Sequence, residues 1–130
     1  MATLKTNTLT GTSTAGSIAV TGEGNSTTTN LQQGLAKVWC QFDGTAGSVA
    51  YADSFNTSGL TDVSTGKFTV TFANDMANSN YASSVESTNV STLQDESNTL
   101  AGSCQFGTFQ ADGTRQDRTV SCYINFGDLA

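Results

Sequence analysis

The strongest constraint in this sequence is a period of two. In residues 67–72, Phe68, Val70 and Phe72 point one way while Lys67, Thr69 and Thr71 point the other. A strand turns successive side chains to opposite faces, so this alternation marks a strand with one face on a core. Residues 119–126 repeat the design. Val120, Cys122, Ile124 and Phe126 are expected inward there, with Thr119, Ser121, Tyr123 and Asn125 outward. Residues 37–42 set Val38, Cys40 and Phe42 against Trp39 and Gln41. Residues 49–55 group Val49, Tyr51 and Phe55, with Asp53 interrupting them. Gly102, Cys104, Phe106 and Thr108 share one register, and Tyr81, Ser83, Val85 and Ser87 share a weaker one. Such patterns belong to antiparallel sheets with one packed face.

The breaks between these runs carry turn chemistry. Asp43-Gly44, Ser58-Gly59, Thr65-Gly66 and Asp112-Gly113 each read as turns. With no proline in the chain, turns rest on Gly, Asn, Asp and Ser. Residues 90–98 read as a polar loop, and no stretch has a helical period of useful length. The expected fold is all-β: an antiparallel β-sandwich or jelly roll of about 7–8 short strands.

The first 33 residues have a different texture. They are rich in Thr, Ser, Gly and Asn, with apolar residues only at intervals: Leu4, Leu9, Ile18, Val20 and Leu31. Too little apolar surface is present to close a core alone. Such a segment must be disordered, dock on the rest of the chain, or pack against copies of itself or a partner; residues 1–33 are expected as an extended anchoring or oligomerisation segment, and residues 34–130 as the sandwich head. Short strands are expected at residues 4–9 and 17–21. A helical turn is expected at residues 30–33, with Asn30 as its cap.

Composition narrows the function classes. Charged residues make up 12% of the 130, so Ser, Thr, Asn, Gln and Gly must supply the polar surface. The net charge of −6 leaves no basic footprint for nucleic acid. No apolar run approaches the roughly 20 residues of a membrane-crossing helix. The first 22 residues lack the basic and apolar regions of a secretory signal, so none is expected.

Catalytic chemistry is poorly provided. The chain has no histidine, the commonest general base and metal ligand. No CxxC pair, GxSxG elbow or phosphate-cradling glycine loop occurs. Asp53, Asp62, Asp75 and Asp112 are the candidate carboxylates for a glycosidase pair, but most lie where Asp forms turns. The Asp95–Glu96 and Asp112–Asp117 pairs lack the alternating ligands of a calcium loop. No catalytic, cofactor-binding or metal-binding residue is expected. The three cysteines, Cys40, Cys104 and Cys122, are odd in number and widely spaced. They read as small buried hydrophobes in a reducing compartment; a Cys104–Cys122 bridge between neighbouring strands is the alternative.

Trp39 and Tyr123 fall opposite the expected core faces of their strands. They read either as a platform for sugar or an interface anchor, or as a second buried layer. The candidate interface set is thus Leu4, Leu9, Ile18, Val20, Leu31, Trp39 and Tyr123.

Several stretches resemble a known family. GLAKVWCQFDGT, from Gly34, is similar to the opening of a domain in tail-fibre-like proteins of marine phages and cyanophages. YADSFNTSGLTDVSTGKFTVTFANDMANSNY, from Tyr51 to Tyr81, resembles that domain's most recognisable block. INFGDLA, from Ile124, resembles its closing strand, and TLKTNTLTG and GSIAVTGEG resemble its leader. The chain departs from the family at Ala77, where proline usually follows the loop Met, and at Cys40 and Cys122, where cysteine is seldom found. The resemblance implies a compact β head, often trimeric, on a virus particle, with no catalytic residues. A homotrimer in contact with other virion proteins is therefore expected. As a fibre tip it would present polar loops to a host surface glycan or protein. Capsid decoration, as a cement or head-fibre protein, is the close competitor. A carbohydrate-binding module stands further off, and a glycan hydrolase last.

Overall fold

The computed structural model describes residues 3–14, 17–93 and 98–130, without the side chains of residues 92 and 93. It is all-β, with antiparallel sheets, as the alternation predicts. The chain divides into two compact units, Met1–Leu35 and Ala36–Ala130.

The first unit is built on a hairpin. Strands β1 (Ala19–Thr21) and β2 (Thr28–Asn30) pair antiparallel. Its tip is closed by Gly22 N–H donating to Thr27 O at 2.9 Å, and Asn25 adopts a left-handed φ of 53° there. A 3-10 turn, Gln32–Gly34, follows. The turn lies later than the expected residues 30–33 and its cap is Leu31, not Asn30; Asn30 Oδ1 instead accepts from Gln32 N–H at 2.8 Å just ahead of it. Residues 4–9, expected as a strand, form none, and among the described residues they pair with no strand.

The second unit is a sandwich of two sheets. One has the strand order β4 (Tyr51–Phe55), β3 (Val38–Phe42), β11 (Ser121–Phe126), β7 (Ala82–Ser87). The other runs β5 (Thr57–Ser64), β6 (Lys67–Phe72), β10 (Ser103–Phe109), β8 (Val90–Leu93), with the short β9 (Thr99–Leu100) also paired to β10. The strand count exceeds the expected 7–8 because the leader supplies a hairpin and residues 90–93 pair with β10 rather than looping. That stretch was expected to be a polar loop, but the ladder beside Phe106–Phe109 recruits its backbone whatever its side chains. Residues 94–97 lie outside the described residues.

Aromatic rings fill the space between the sheets. Phe42 meets Phe68 edge-on at 5.0 Å and Phe106 at 6.0 Å. Tyr123 stacks on Phe106 at 5.6 Å with the ring planes 5° apart. Val38, Cys40, Val70, Phe72, Met76 and Cys104 complete the buried set. Phe68, Val70 and Phe72 face inward as their alternation predicts, as do Cys104, Phe106 and Thr108.

The expected orientation of β11 is reversed. Ser121, Tyr123 and Asn125 are buried, while Val120 is 40% exposed and Cys122, Ile124 and Phe126 are half-exposed. The partner strand decides. Tyr123 lies opposite Cys40, Ser121 opposite Phe42 and Asn125 opposite Val38, and residues directly opposite share a face. Since Val38, Cys40 and Phe42 face the core, the polar-looking half of β11 must do so too. The tyrosine hydroxyl is satisfied there by Ser83 Oγ at 3.1 Å and by Asn125 Nδ2–H at 3.3 Å.

Phe55 is displaced for a related reason. The β3–β4 register steps from Gln41↔Asp53 to Phe42↔Tyr51, leaving Ala52 as an extra residue. That bulge moves every later side chain of β4 to the opposite face. Tyr51 stays with the core, but Phe55 lands opposite Trp39, 53% exposed. Ser58-Gly59, expected as a turn, is likewise a bulge inside β5: Thr57 pairs Phe72 and Gly59 pairs Thr71. Ser58 Oγ donates to Phe72 O at 2.8 Å across it.

Two corners hold the layers in place. Between β4 and β5 only Asn56 separates strands of different sheets, and its φ is 55°. Its Nδ2 donates to Lys37 O at 3.0 Å and Asn74 O at 3.1 Å, and its Oδ1 accepts from Asn74 N–H at 2.8 Å. The second corner is the β5–β6 turn at Gly66, with φ 62°. Gly66 N–H donates to Asp117 Oδ1 at 2.6 Å, while Gly66 O accepts from Thr108 N–H at 3.0 Å and Arg115 Nη1 at 3.1 Å. The C-terminal end is tied as well: Ala77 N–H donates to Asp128 O at 2.8 Å and Ala130 N–H to Asp75 O at 2.9 Å. A proline at position 77 would forgo the first of these bonds.

Candidate functional site

Two apolar surfaces stand out, one in each unit. In the first unit, the β1–β2 register places Val20 opposite Thr29. Leu31 N–H donates to Ile18 O at 2.7 Å, extending the same ladder. Ile18, Val20, Thr29 and Leu31 therefore share one face of the hairpin. The 3-10 turn then brings Leu35 back beside it. Val20, Thr29, Asn30, Leu31, Gly34 and Leu35 line an open, almost wholly apolar groove of ≈ 250 Å³. Val20 is 49% exposed and Leu35 52%.

Five of the seven candidate interface residues belong to this first unit. Val20 and Leu31 line the groove, and Ile18 adjoins them, half-buried. Leu4 stands apart at 77% exposed, as does Leu9 at 55%. Leu35 was missed because the leader was expected to end two residues before it. Its signal is available in the sequence: a leucine directly after Gly34, where a turn closes back on the preceding hairpin.

The second surface is the outer face of the β4–β3–β11–β7 sheet. One cross-strand row runs Phe55, Trp39, Ile124 and Ser84; the next runs Asp53, Gln41, Cys122 and Glu86. Trp39 and Ile124 are half-exposed. Trp39 thus lies on the outer face, as its strand predicts. Tyr123 does not: at 1% exposure it is part of the core and no interface residue.

The candidate carboxylates come from four separate elements. Asp53 sits on β4, Asp62 on β5, Asp75 after β6 and Asp112 in the β10–β11 connection. Among the described residues no group of three His, Cys, Asp or Glu side chains is placed to hold a metal ion. Asp117 is engaged with Gly66 N–H, and Asp95 and Glu96 lie outside the described residues. Asp43 and Asp112 are turn formers. Hydrogen bonds from the Thr45 side chain and backbone hold Asp43 below the usual carboxylate range, and the Thr114 backbone does the same for Asp112.

All three cysteines are free, so the Cys104–Cys122 bridge is not formed. Cys104 faces the core from β10 in one sheet, while Cys122 lies on the outer face of the other. Burial pushes the Cys40 thiol up to about 12, with Cys122 adding to it. Burial raises Cys104 too, and pushes the Tyr51 phenol up to about 12. These shifts set an alkaline limit. Below the ordinary thiol range, near pH 9, both states keep their protons and stability is at its full value. Above it the unfolded chain ionises first, so stability falls as pH rises toward about 12. A denaturant midpoint should hold level from neutral pH to about 9 and then drop. A thiol reagent at neutral pH should label Cys122 first and Cys40 and Cys104 only on unfolding, because Cys122 is half-exposed while the other two are buried. Rapid labelling of all three in the native protein would contradict this packing.

Fold and surfaces together define a two-sheet β-sandwich carrying a separate N-terminal hairpin unit. No family model matches the chain, and neither a curated protein nor a solved structure matches it.

Proposed function

We propose that this chain is a non-enzymatic structural protein of a bacteriophage particle. In this reading it is a homotrimeric fibre or fibre-tip protein, held by its N-terminal unit and presenting the polar loops of its sandwich to the host surface. One contrast carries the reading. The Ala36–Ala130 unit closes its own aromatic core, whereas no described residue of the first unit is buried, and its Leu4, Leu9, Val20 and Leu35 are 77%, 55%, 49% and 52% exposed. Apolar residues left out in this way are served by burial against other chains. The resemblance of residues 34–45 and 51–81 to phage tail-fibre-like proteins supplies the setting. Three sandwiches on one anchor would give avidity from individually weak loop contacts.

Light scattering on the purified full chain at micromolar concentration is expected to give three chains per particle. Removing residues 1–35 should leave a monomer with the same β circular dichroism. A full-length monomer, or a trimer that survives the truncation, would overturn the anchoring role. Antibody labelling of phage particles in the electron microscope should mark the tail. Label over the shell would replace the fibre reading with capsid decoration.

A further inference from the structure

We infer that residues 4–9 of one copy dock, through Leu4 and Leu9, into the groove formed by Val20, Leu31 and Leu35 of a second copy. This rests on the reading that the chain self-associates through its first unit, and it names the contact.

Three observations point to a second copy as the occupant. The groove of ≈ 250 Å³ is apolar almost throughout, so it fits a hydrocarbon side chain rather than a charged or hydroxylated partner. The same unit supplies two leucines that its own fold does not bury, Leu4 at 77% and Leu9 at 55% exposure. Charge then selects where copies can meet. Lys5 and Glu23 are the only charged residues of the first 35 and cancel, so the whole net charge of −6 sits in Ala36–Ala130. Sandwiches of like charge repel each other. The leader is neutral and carries no such penalty, so copies approach through it.

Geometry also favours exchange between copies. Residues 4–9 make no ladder with the β1–β2 hairpin, and the bend there is held locally, with Thr6 Oγ1 donating to Thr8 O at 2.7 Å. Among the described residues the segment thus makes no ladder within its own unit, and it can lie along a neighbour's. In a closed ring each copy gives one segment and receives one, so every groove is filled.

The experiment uses the full chain in a Cys122→Ser background, which leaves only buried cysteines. Leu4→Cys and Leu35→Cys variants are purified separately, mixed and oxidised. A disulfide joining one chain of each kind is expected. Leu4→Ser with Leu9→Ser should weaken association at least roughly tenfold, as loss of buried interface anchors does, with unchanged circular dichroism. Association that is unaltered in the double variant, with no mixed disulfide, would overturn the docking while leaving self-association intact. In a further variant carrying Leu4→Cys and Leu35→Cys together, a disulfide formed only within single chains would mean the segment folds onto its own groove, and would also overturn it. A full chain that is monomeric throughout sinks the docking and the anchoring role together.

Discussion

Gly66→Ala should remove about 3 kcal/mol or more of stability, enough to unfold much of the population of a marginal domain. Two costs add. At φ 62° an alanine pays the left-handed penalty that glycine escapes. A Cβ there would also stand 2.5 Å from Thr108 O and 2.6 Å from Gln116 N, both main-chain atoms that cannot swing aside. Relief would require pulling the β5–β6 tip out of the bonds from Thr108 and Arg115 and to Asp117. Urea unfolding followed by tryptophan emission measures the loss. A change below about 1 kcal/mol would show that this corner is not held as described.

Tyr123→Ala is expected to cost about 3–5 kcal/mol, the range for deleting a large buried ring. The ring lies flat against Phe106 and near Phe72, at 5.6 and 6.3 Å between centroids. Its removal would also strip Ser83 and Asn125 of their shared hydroxyl partner. Ile124→Ser, one residue along, should cost less than about 1.5 kcal/mol because that side chain faces outward beside Trp39. The pair of variants tests the strand's orientation directly. If Ile124→Ser proved the more damaging of the two, the face assignment of β11 would be wrong.

That strand also shows how far the sequence can be read. Phe68, Val70 and Phe72 alternate with Lys67, Thr69 and Thr71, so only one face of β6 can be the core face. Residues 120–126 offer apolar groups on both sides, Val120, Cys122, Ile124 and Phe126 against Tyr123. Counting favours the wrong side. The deciding information is the register with β3, which is a property of two strands and not of one. Phe55 fails for a different reason: a single bulge at Ala52 resets the period, and its one local sign is Asp53, a carboxylate standing in the register of Tyr51 and Phe55. In the leader, β2 is Thr-Thr-Asn and has no apolar signal at all. The groove was half legible, through Val20 and Leu31, and the missing half is Leu35, which reaches it through a turn.

The Asn56 corner bears on how this protein tolerates change in length. A strand repeats every two residues, so one inserted residue between β4 and β5 would turn Leu60 and its neighbours inside out. It would also carry the Asn56 amide away from Lys37 and Asn74. At Asp112-Gly113 the main chain is exposed, Gly113 has open space around it, and the flanking bond from Gln110 N–H to Thr114 O already closes the turn from outside. Foreign peptides grafted for display therefore belong at that tip, and length variants recovered from any random library should cluster there and avoid position 56.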